Sequence, residues 1–145
     1  MAFIQRVCIC MVSVFCMAAA AVLPQAMAAD TVRAIVISGE IDGSQAALVQ
    51  RSITQAEENN DKAVMVIINT QGGRVASALK IRDTLQRTSL PTIAYVTSRA
   101  WSAGALIAFS CRHIIMAPGS SIGAAEPIPN TEKNIAALKS EFSAT

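Results

Sequence analysis

The sequence predicts an α/β domain with a mainly parallel sheet. Runs of β-branched and apolar residues alternate along the chain with stretches whose apolar residues recur at helical spacing. Residues 63–69 (AVMVIIN) are apolar almost throughout, which is typical of a strand buried on both faces in a sheet covered by helices. Strand–helix alternation favours the same class, in which functional residues gather in the loops beyond the carboxyl ends of the strands.

Four strands and four helices are predicted in alternation. In chain order they are a strand within residues 32–41 that ends at Gly39, a helix over 45–60, a strand over 63–69, a helix over 75–87, a strand over 93–96, a helix over 103–109, a strand over 113–116 and a final helix over 134–142. Residues 42–44 predict a turn, from which Ser44 caps the first helix. Residues 70–73 and 99–102 are predicted loops at the carboxyl ends of the second and third strands.

The first 28 residues have the pattern of a secretory signal peptide. Arg6 supplies a positive charge, residues 7–22 form an apolar core, and residues 26–28 (Ala-Met-Ala) form a small-x-small cleavage site. The apolar run is short for a membrane span, although an uncleaved anchor is an alternative. The sequence therefore predicts export across the inner membrane, to a periplasmic or other extracytoplasmic location, with residues 29–145 forming the domain.

Composition and charge argue against several classes of function. The formal net charge is +2 and the basic residues form no cluster, which argues against nucleic-acid binding. Three of the four cysteines lie in the signal segment, so Cys111 has no partner for an internal disulfide, and its apolar context predicts a buried small hydrophobe. Neither phosphate-binding glycine motif, G-x-x-x-x-G-K or G-x-G-x-x-G, is present, and we expect no metal and no cofactor.

Ser102 lies between a predicted strand and a predicted helix and is followed by small residues. The first N–H groups of a helix have no intrahelical partner and can face a developing negative charge, and such a place favours an activated hydroxyl. The alternative interpretation is that Ser102 is an N-cap whose own oxygen satisfies those N–H groups. Local sequence leaves both open.

Gly72 and Gly73 follow the most apolar strand and precede a helix. Paired glycines let the backbone adopt unusual dihedral angles and approach a ligand closely, although a tight turn is the simpler explanation of such a pair. Considered with Ser102, one loop offers backbone N–H groups for an oxyanion and the next offers a nucleophile. Acyl transfer requires those two parts close together.

Three sequence blocks carry a resemblance to a known family: Asn-Thr-Gln-Gly-Gly-Arg at 69–74, Trp-Ser-Ala-Gly at 101–104 and Met-Ala-Pro-Gly-Ser-Ser-Ile-Gly-Ala-Ala-Glu-Pro at 116–127. In order and spacing they resemble the NfeD family of membrane-associated serine proteases, which belong to the ClpP/crotonase-like superfamily. The resemblance implies a ClpP-like serine protease domain with Ser102 as nucleophile. It assigns the oxyanion hole to Gly73, with Gly72, and to the N–H group of Ala103.

The resemblance also implies a lysine as base, in a Ser–Lys variant of the triad. The single histidine, His113, does not fall where a Clp-type protease carries its histidine, and it is interpreted as a structural or strand-edge residue. Lys133 falls at the start of the last helix, where the family's lysine is expected. Lys139 is the alternative base and otherwise a surface lysine. A lysine base must be neutral near pH 7, which burial beside apolar groups can achieve.

Two departures from the family pattern stand out. Gln71 occupies the position of a proline in the family's Thr-Pro-Gly-Gly loop, which frees φ and adds an N–H donor. The family's domain also continues beyond the point at which this sequence stops, so an incomplete, truncated domain is expected.

The predicted function is a serine endopeptidase of the cell envelope that cleaves apolar peptide segments of membrane partners such as stomatin- or prohibitin-like proteins. A membrane-associated homo-oligomer is expected from the resemblance. Two alternatives remain open: a catalytically silent module that binds such partners or full-length copies, and a crotonase-like acyl-CoA enzyme. The predicted export disfavours the second alternative, because acyl-CoA substrates are cytosolic.

Overall fold

A computed structural model describes residues 30–126 and 131–145 and confirms the predicted alternation of strands and helices. The elements are β1 (Val32–Ile41), α1 (Gly43–Glu58), β2 (Ala63–Gly73), α2 (Val75–Arg87), β3 (Thr92–Trp101), α3 (Ala103–Phe109), β4 (His113–Met116), β5 (Ser121–Gly123) and α4 (Glu132–Ser143). The predicted signal peptide lies outside the described residues.

The five strands form one sheet in which every pairing is parallel. Strand order is β1-β2-β3-β4, and β5 pairs with the last residues of β3 rather than with β4. A parallel sheet aligns the carboxyl ends of its strands at one edge, so the ends of β2 and β3 lie side by side. Thr70 of β2 pairs with Ala100 of β3 at this edge.

The core lies on one face of this sheet. The paired rows Ile35–Val66–Ala94 and Ile37–Ile68–Val96 are buried, as are the inward residues of α1, α2 and α3. On the opposite face Val36 is 55% exposed, and Ile67 and Tyr95 are half-buried. The prediction that the second strand is buried on both faces is therefore only half right, because the described elements cover one face fully and the other in part.

Three strands extend further than their sequence pattern predicts. β1 does not end at Gly39 but continues to Ile41 after a register irregularity between Ser38 and Glu40. β2 continues to Gly73 and β3 to Trp101, so most of the two predicted loops is strand. Polar residues and glycines end a hydrophobic pattern, but hydrogen bonding to neighbouring strands maintains the extended backbone beyond them.

Helix ends and one strand were also predicted inaccurately. Asp42, rather than Ser44, caps α1: its carboxylate accepts the N–H groups of Ser44 (2.9 Å) and Gln45 (3.1 Å). Thr131 caps α4 by accepting the N–H group of Asn134 (3.3 Å), which starts that helix two residues before the predicted position. The short strand β5 was not predicted, since three residues are too few to show a pattern. The predicted bounds of α2, α3 and β4 are confirmed.

Candidate active site

Ser102 occupies a sharp turn between β3 and α3. Its backbone angles are φ 49° and ψ −117°, a conformation that is strained for a residue with a side chain. Its N–H group donates to the Gly123 carbonyl of β5 (2.7 Å), which helps to hold the turn. Its side chain makes no capping hydrogen bond to α3, so the N-cap interpretation is wrong. A strained serine in a strand-to-helix turn is the geometry that exposes a nucleophilic hydroxyl.

β5 anchors this turn from the side. Trp101 pairs with Gly123 in the sheet, and the Trp101 indole N–H donates to the Ser121 hydroxyl (2.8 Å). The Arg99 guanidinium lies 5.2 Å from the centre of the Trp101 ring, within the range of a cation–π contact. The residues before Ser102 are therefore fixed by backbone and side-chain contacts to β3 and β5.

Gly72 lies directly against Ser102. A Cβ atom at position 72 would stand 2.9 Å from Ser102 Cβ, closer than a side chain tolerates, and 3.4 Å from the Ala103 nitrogen, which is van der Waals contact. The φ angle of Gly72 is +117°, which further favours glycine. The structure thus brings together Gly72, Ser102 and Ala103, three of the residues that the sequence assigned to one site.

The Gly72–Gly73 segment is fixed against β1. A Cβ atom on Gly73 would collide with the backbone of Ile41, and the N–H group of Arg74 donates to the Ile41 carbonyl (2.8 Å). The buried Thr70 hydroxyl donates to the Gly39 carbonyl (2.5 Å) and accepts the N–H group of Gly72 (3.0 Å). The Gly72 N–H group is therefore already engaged inside the protein.

A cleft of about 700 Å³ opens in front of Ser102. Its lining combines the site residues with small and apolar side chains: Gln71, Gly73, Val75, Ala78, Ser102, Ala103, Leu106, Ala124, Glu126 and Leu138. Among the described residues of this lining, Glu126 is the one with a carboxylate or basic side chain. A neighbouring polar cleft of about 550 Å³ shares Gln71 and Gly73 with it and includes Glu40 and Arg99. The two clefts give an extended ligand room on both sides of the glycine pair.

The structure does not bring the predicted lysines into this cleft. Lys133 is the second residue of α4 and Lys139 lies in its second half; both side chains are exposed and neither lines the cleft. Leu138, between them on the same helix, does line it. His113 is exposed on β4, the last strand of the β1-β2-β3-β4 order, in keeping with the strand-edge interpretation.

Sequence reasoning missed the residues that support the site. Thr70 belongs to a quoted motif, but nothing in the sequence indicates that its hydroxyl joins Gly39 to Gly72. Leu138 is one apolar residue among several on an amphipathic helix, so only the docking of that helix identifies it. The helical spacing of Leu138 with Ile135 and Phe142 was the available indication of an inward face.

The remaining reactive side chain is Cys111, which is buried at 8% exposure as predicted. Burial raises the pKa of the Cys111 thiol to about 12, against an ordinary value of 9.0, so the thiol is protonated at neutral pH. Within residues 30–126 and 131–145, no cluster of His, Cys, Asp and Glu side chains could hold a metal ion. In the same part of the chain, the helices lack the length and apolarity that crossing a bilayer requires.

Comparisons with known proteins identify a matching domain family and similar proteins. The domain family described as NfeD1b, N-terminal domain, matches residues 31–143. The chain is 39% identical over 95 residues to membrane protein NfeD1b of Bacillus subtilis (strain 168) and 38% identical over 101 residues to membrane-bound protease PH1510 of Pyrococcus horikoshii. These alignments cover 66% and 68% of this chain but only 22% and 23% of the relatives.

Solved structures share the fold. A lysine-to-alanine mutant of the 1510-N membrane-bound stomatin-specific protease, in complex with a substrate peptide, matches with a TM-score of 0.72 at 31% identity over 78% of this chain and 57% of that chain. A serine-to-alanine mutant of the same protease matches with a TM-score of 0.72 at 30% identity, over 78% and 60% of the two chains. ClpP1 from Listeria monocytogenes, at 22% identity and a TM-score of 0.67 over 77% and 72%, shares the fold alone. The predicted ClpP-like fold is confirmed.

Proposed function

Since this chain belongs to the NfeD1b N-terminal domain family, we propose that it is a serine endopeptidase domain in which Ser102 is the nucleophile and a lysine is the base. The observation that carries the proposal is the contact between the strained Ser102 turn and the Gly72 backbone. Acyl transfer needs a nucleophile beside N–H donors that are fixed before the reaction begins. Strained backbone conformations are concentrated at active sites, where the surrounding structure maintains them.

The oxyanion hole in this proposal consists of the N–H groups of Ala103 and Gly73. Ala103 follows the nucleophile at the first position of α3, where an N–H group has no intrahelical acceptor. The Arg74 N–H group points to β1, and successive N–H groups of an extended strand point to opposite sides, so we assign that of Gly73 to the Ser102 side. Gly72, which the sequence also assigned to the hole, contributes the close approach rather than a donor, because Thr70 binds its N–H group.

The reaction then follows acyl-transfer chemistry. The Ser102 hydroxyl oxygen attacks the peptide carbonyl carbon while a neutral lysine amine takes the hydroxyl proton, and the carbonyl oxygen becomes an oxyanion held by the two N–H groups. The lysine returns its proton to the leaving amine, which breaks the peptide bond and leaves an acyl-serine. A water molecule, deprotonated in the same way, hydrolyses that ester.

Lys133 is the base that we propose, and it has to move to act. It is the second residue of α4, three positions after residues 127–130, which lie outside the described part of the chain. Its exposed side chain makes no close ion pair among the described residues. Lys139 remains the alternative. Apo arrangements of catalytic groups are often looser than those in a substrate complex, so distance from the cleft in the unliganded protein does not exclude either lysine.

The substrates that we propose are apolar segments of stomatin- or prohibitin-like membrane proteins, cleaved by an exported, membrane-associated homo-oligomer. The apolar wall of the cleft, formed by Val75, Ala78, Leu106 and Leu138, supports an apolar side chain next to the cleaved bond. Relatives described as membrane-bound and stomatin-specific support the class of partner.

The test is cleavage of an apolar peptide, followed by mass spectrometry of the products. Wild-type chain should cleave it, and Ser102→Ala should lower the rate by roughly three orders of magnitude or more, as loss of a nucleophile does. Ser120→Ala is the matched control, because the Ser120 hydroxyl only donates within its own turn, to the Ala117 carbonyl (2.6 Å). Equal cleavage by wild type and Ser102→Ala would refute the assignment.

A second candidate is a catalytically silent binding module, favoured by the absence of both lysines from the cleft lining. This candidate predicts that wild-type chain binds the apolar peptide with the same affinity as Ser102→Ala and cleaves it at no measurable rate. Binding and cleavage measured on one preparation therefore separate the two functions.

A further inference from the structure

Helix α4 is attached to the domain differently from the other helices. α1, α2 and α3 each bury several residues, whereas α4 buries none. Its inward side is only half-buried and consists of Asn134, Ile135, Leu138, Glu141 and Phe142. A helix with so little buried surface depends on individual contacts for its position.

Two contacts of α4 are specific. The Phe142 ring meets the Phe109 ring of α3 edge to face, with 6.1 Å between ring centres and 75° between planes. At the preceding residue, the Glu141 carboxylate accepts a hydrogen bond from Arg82 of α2, which makes an ion pair. The first contact fixes the end of α4 laterally, and the second connects it to the helix that forms a wall of the cleft.

A second carboxylate, that of Asp83, orients the Arg82 guanidinium. Its Nε and Nη2 atoms both donate to Asp83 Oδ1, at 3.0 Å and 2.8 Å, which orients the guanidinium plane and leaves Nη1 for Glu141. The Arg82 side chain is 15% exposed, less than either carboxylate partner at 39% and 37%. A half-buried, oriented guanidinium loses less rotamer freedom on binding a carboxylate than a free surface arginine would.

Leu138 connects this docking contact to the active site. It lies three residues before Glu141, on the same side of α4, and is the α4 residue that lines the Ser102 cleft. It faces a wall formed by Val75 and Ala78 of α2 and by Leu106 of α3. Moving α4 would therefore move one wall of the cleft while Ser102 stays in place.

We propose that Arg82 is a positioning residue that docks α4 through Glu141, so that Leu138 closes the apolar wall beside Ser102 and limits the size of the side chain accepted there. The inference rests on the proposed function for its substrate, and adds to it a residue that contacts neither substrate nor nucleophile. With α4 docked, the cleft selects aliphatic side chains; with α4 released, it loses affinity and discriminates less by size.

The experiment measures peptide binding to the full chain carrying Ser102→Ala, so that no turnover occurs. Two fluorescein-labelled apolar peptides are used, identical except for leucine or phenylalanine at the position next to the scissile bond. Arg82→Glu should weaken binding of the leucine peptide roughly three- to tenfold, since it replaces an ion pair by a repulsion. The phenylalanine peptide should lose less affinity, because displacement of Leu138 leaves room for the larger ring. Leu138→Ala should shift the preference in the same direction, by roughly tenfold.

Two matched variants decide whether the effect runs through Glu141. The swapped pair Arg82→Glu with Glu141→Arg should restore both affinities to within about twofold of the parent. Arg87→Glu makes the same charge change on the same helix at a side chain that is 81% exposed and forms a long ion pair with Asp83, at 3.8 Å, so it should change neither affinity. A loss of affinity in Arg87→Glu equal to that in Arg82→Glu, or no recovery in the swapped pair, would overturn the proposal.

Amide hydrogen exchange of residues 132–143 gives a second readout that needs no peptide. Exchange should be faster in Arg82→Glu, normal in the swapped pair and unchanged in Arg87→Glu. If neither peptide binds any variant, the proposed function fails while exchange still decides the docking role of Arg82. Equal exchange in Arg82→Glu and the parent, or faster exchange without any change in peptide preference, would refute the positioning role.

Discussion

The Ser102 end of the cleft and the helix that faces it are held in different ways. Ser102 is fixed between β3, β5 and α3, and most of α3 is buried. α4, which carries Lys133 and Lys139, has no buried residue and meets the rest of the domain through half-buried side chains. The Ser102 end of the cleft thus belongs to the cooperative core, whereas α4 can detach at a low cost in free energy.

This difference shows that the parts of one site can lie on elements that are held with different firmness. The nucleophile and the oxyanion donors must agree within a few tenths of an ångström, and a parallel sheet edge supplies that accuracy. A base only has to exchange a proton, so it can arrive on a mobile helix during substrate binding. The predictions below test whether the two ends differ in this way.

The largest effect is expected at the base. Lys133→Ala should reduce peptide cleavage by roughly two to four orders of magnitude, the range of general base catalysis, while Lys139→Ala should stay within about twofold of wild type. Rates measured side by side on one apolar peptide check this. The reverse order of the two variants would transfer the role of base to Lys139.

The next largest effect concerns stability. Ile107→Ala in α3 removes a side chain that is 0% exposed and should cost about 2–5 kcal/mol of unfolding free energy. Phe142→Ala in α4 removes a larger side chain from a half-buried position and should cost less than about 1 kcal/mol. Urea unfolding of both variants provides the measurement. Comparable losses would mean that α4 is as much part of the core as α3.

An effect of pH on stability is expected from Cys111. Its thiol pKa is raised by burial to about 12 in the folded state, against 9.0 when unburied, so the folded protein retains a proton that the unfolded chain has released. The protonated Cys111 thiol therefore contributes fully to the free energy of unfolding below pH 9, and this contribution is lost progressively as the pH rises towards 12. The loss should approach about 4 kcal/mol, since each unit of pKa shift corresponds to about 1.4 kcal/mol.

Urea unfolding between pH 8 and pH 10.5 checks the start of this loss, with Cys111→Ala as control for other titrating groups. The wild type should lose more stability over the interval than the variant. Alkylation of native protein at pH 8, located by peptide mapping, should leave Cys111 unmodified. Rapid labelling of Cys111 under native conditions would contradict its burial.

Much of the fold could be predicted from the sequence because local pattern and tertiary environment agree. α2 shows apolar residues at helical spacing and begins shortly after Gly72 and Gly73, and the bounds of both α2 and α3 are as predicted. The ends of β2 and β3 were missed, because their pairing depends on neighbouring strands rather than on local residue type. β5 was not predicted for the same reason, because its three residues form a strand by pairing with Trp101 and the two residues before it.

The site was predictable in part. Gly72, Ser102 and Ala103 fall in motifs that the sequence displays, and the structure brings them together; at Gly72 the backbone geometry requires glycine. The wall formed by Leu138 was not predictable, because α4 contacts the domain through residues distant in sequence, such as Arg82 and Glu141, which are 59 residues apart. No local pattern contains information about such a contact.

The most direct test of the central proposal uses a peptide boronic acid with an apolar side chain next to boron. An activated serine hydroxyl adds to boron and gives a tetrahedral adduct that resembles the oxyanion intermediate. Boron NMR at pH 7.5 distinguishes trigonal from tetrahedral boron in a mixture with the full chain. We predict a tetrahedral signal with wild type and only the trigonal signal with Ser102→Ala. A trigonal signal with both proteins, or the same tetrahedral signal with both, would contradict the assignment of Ser102 as an activated nucleophile.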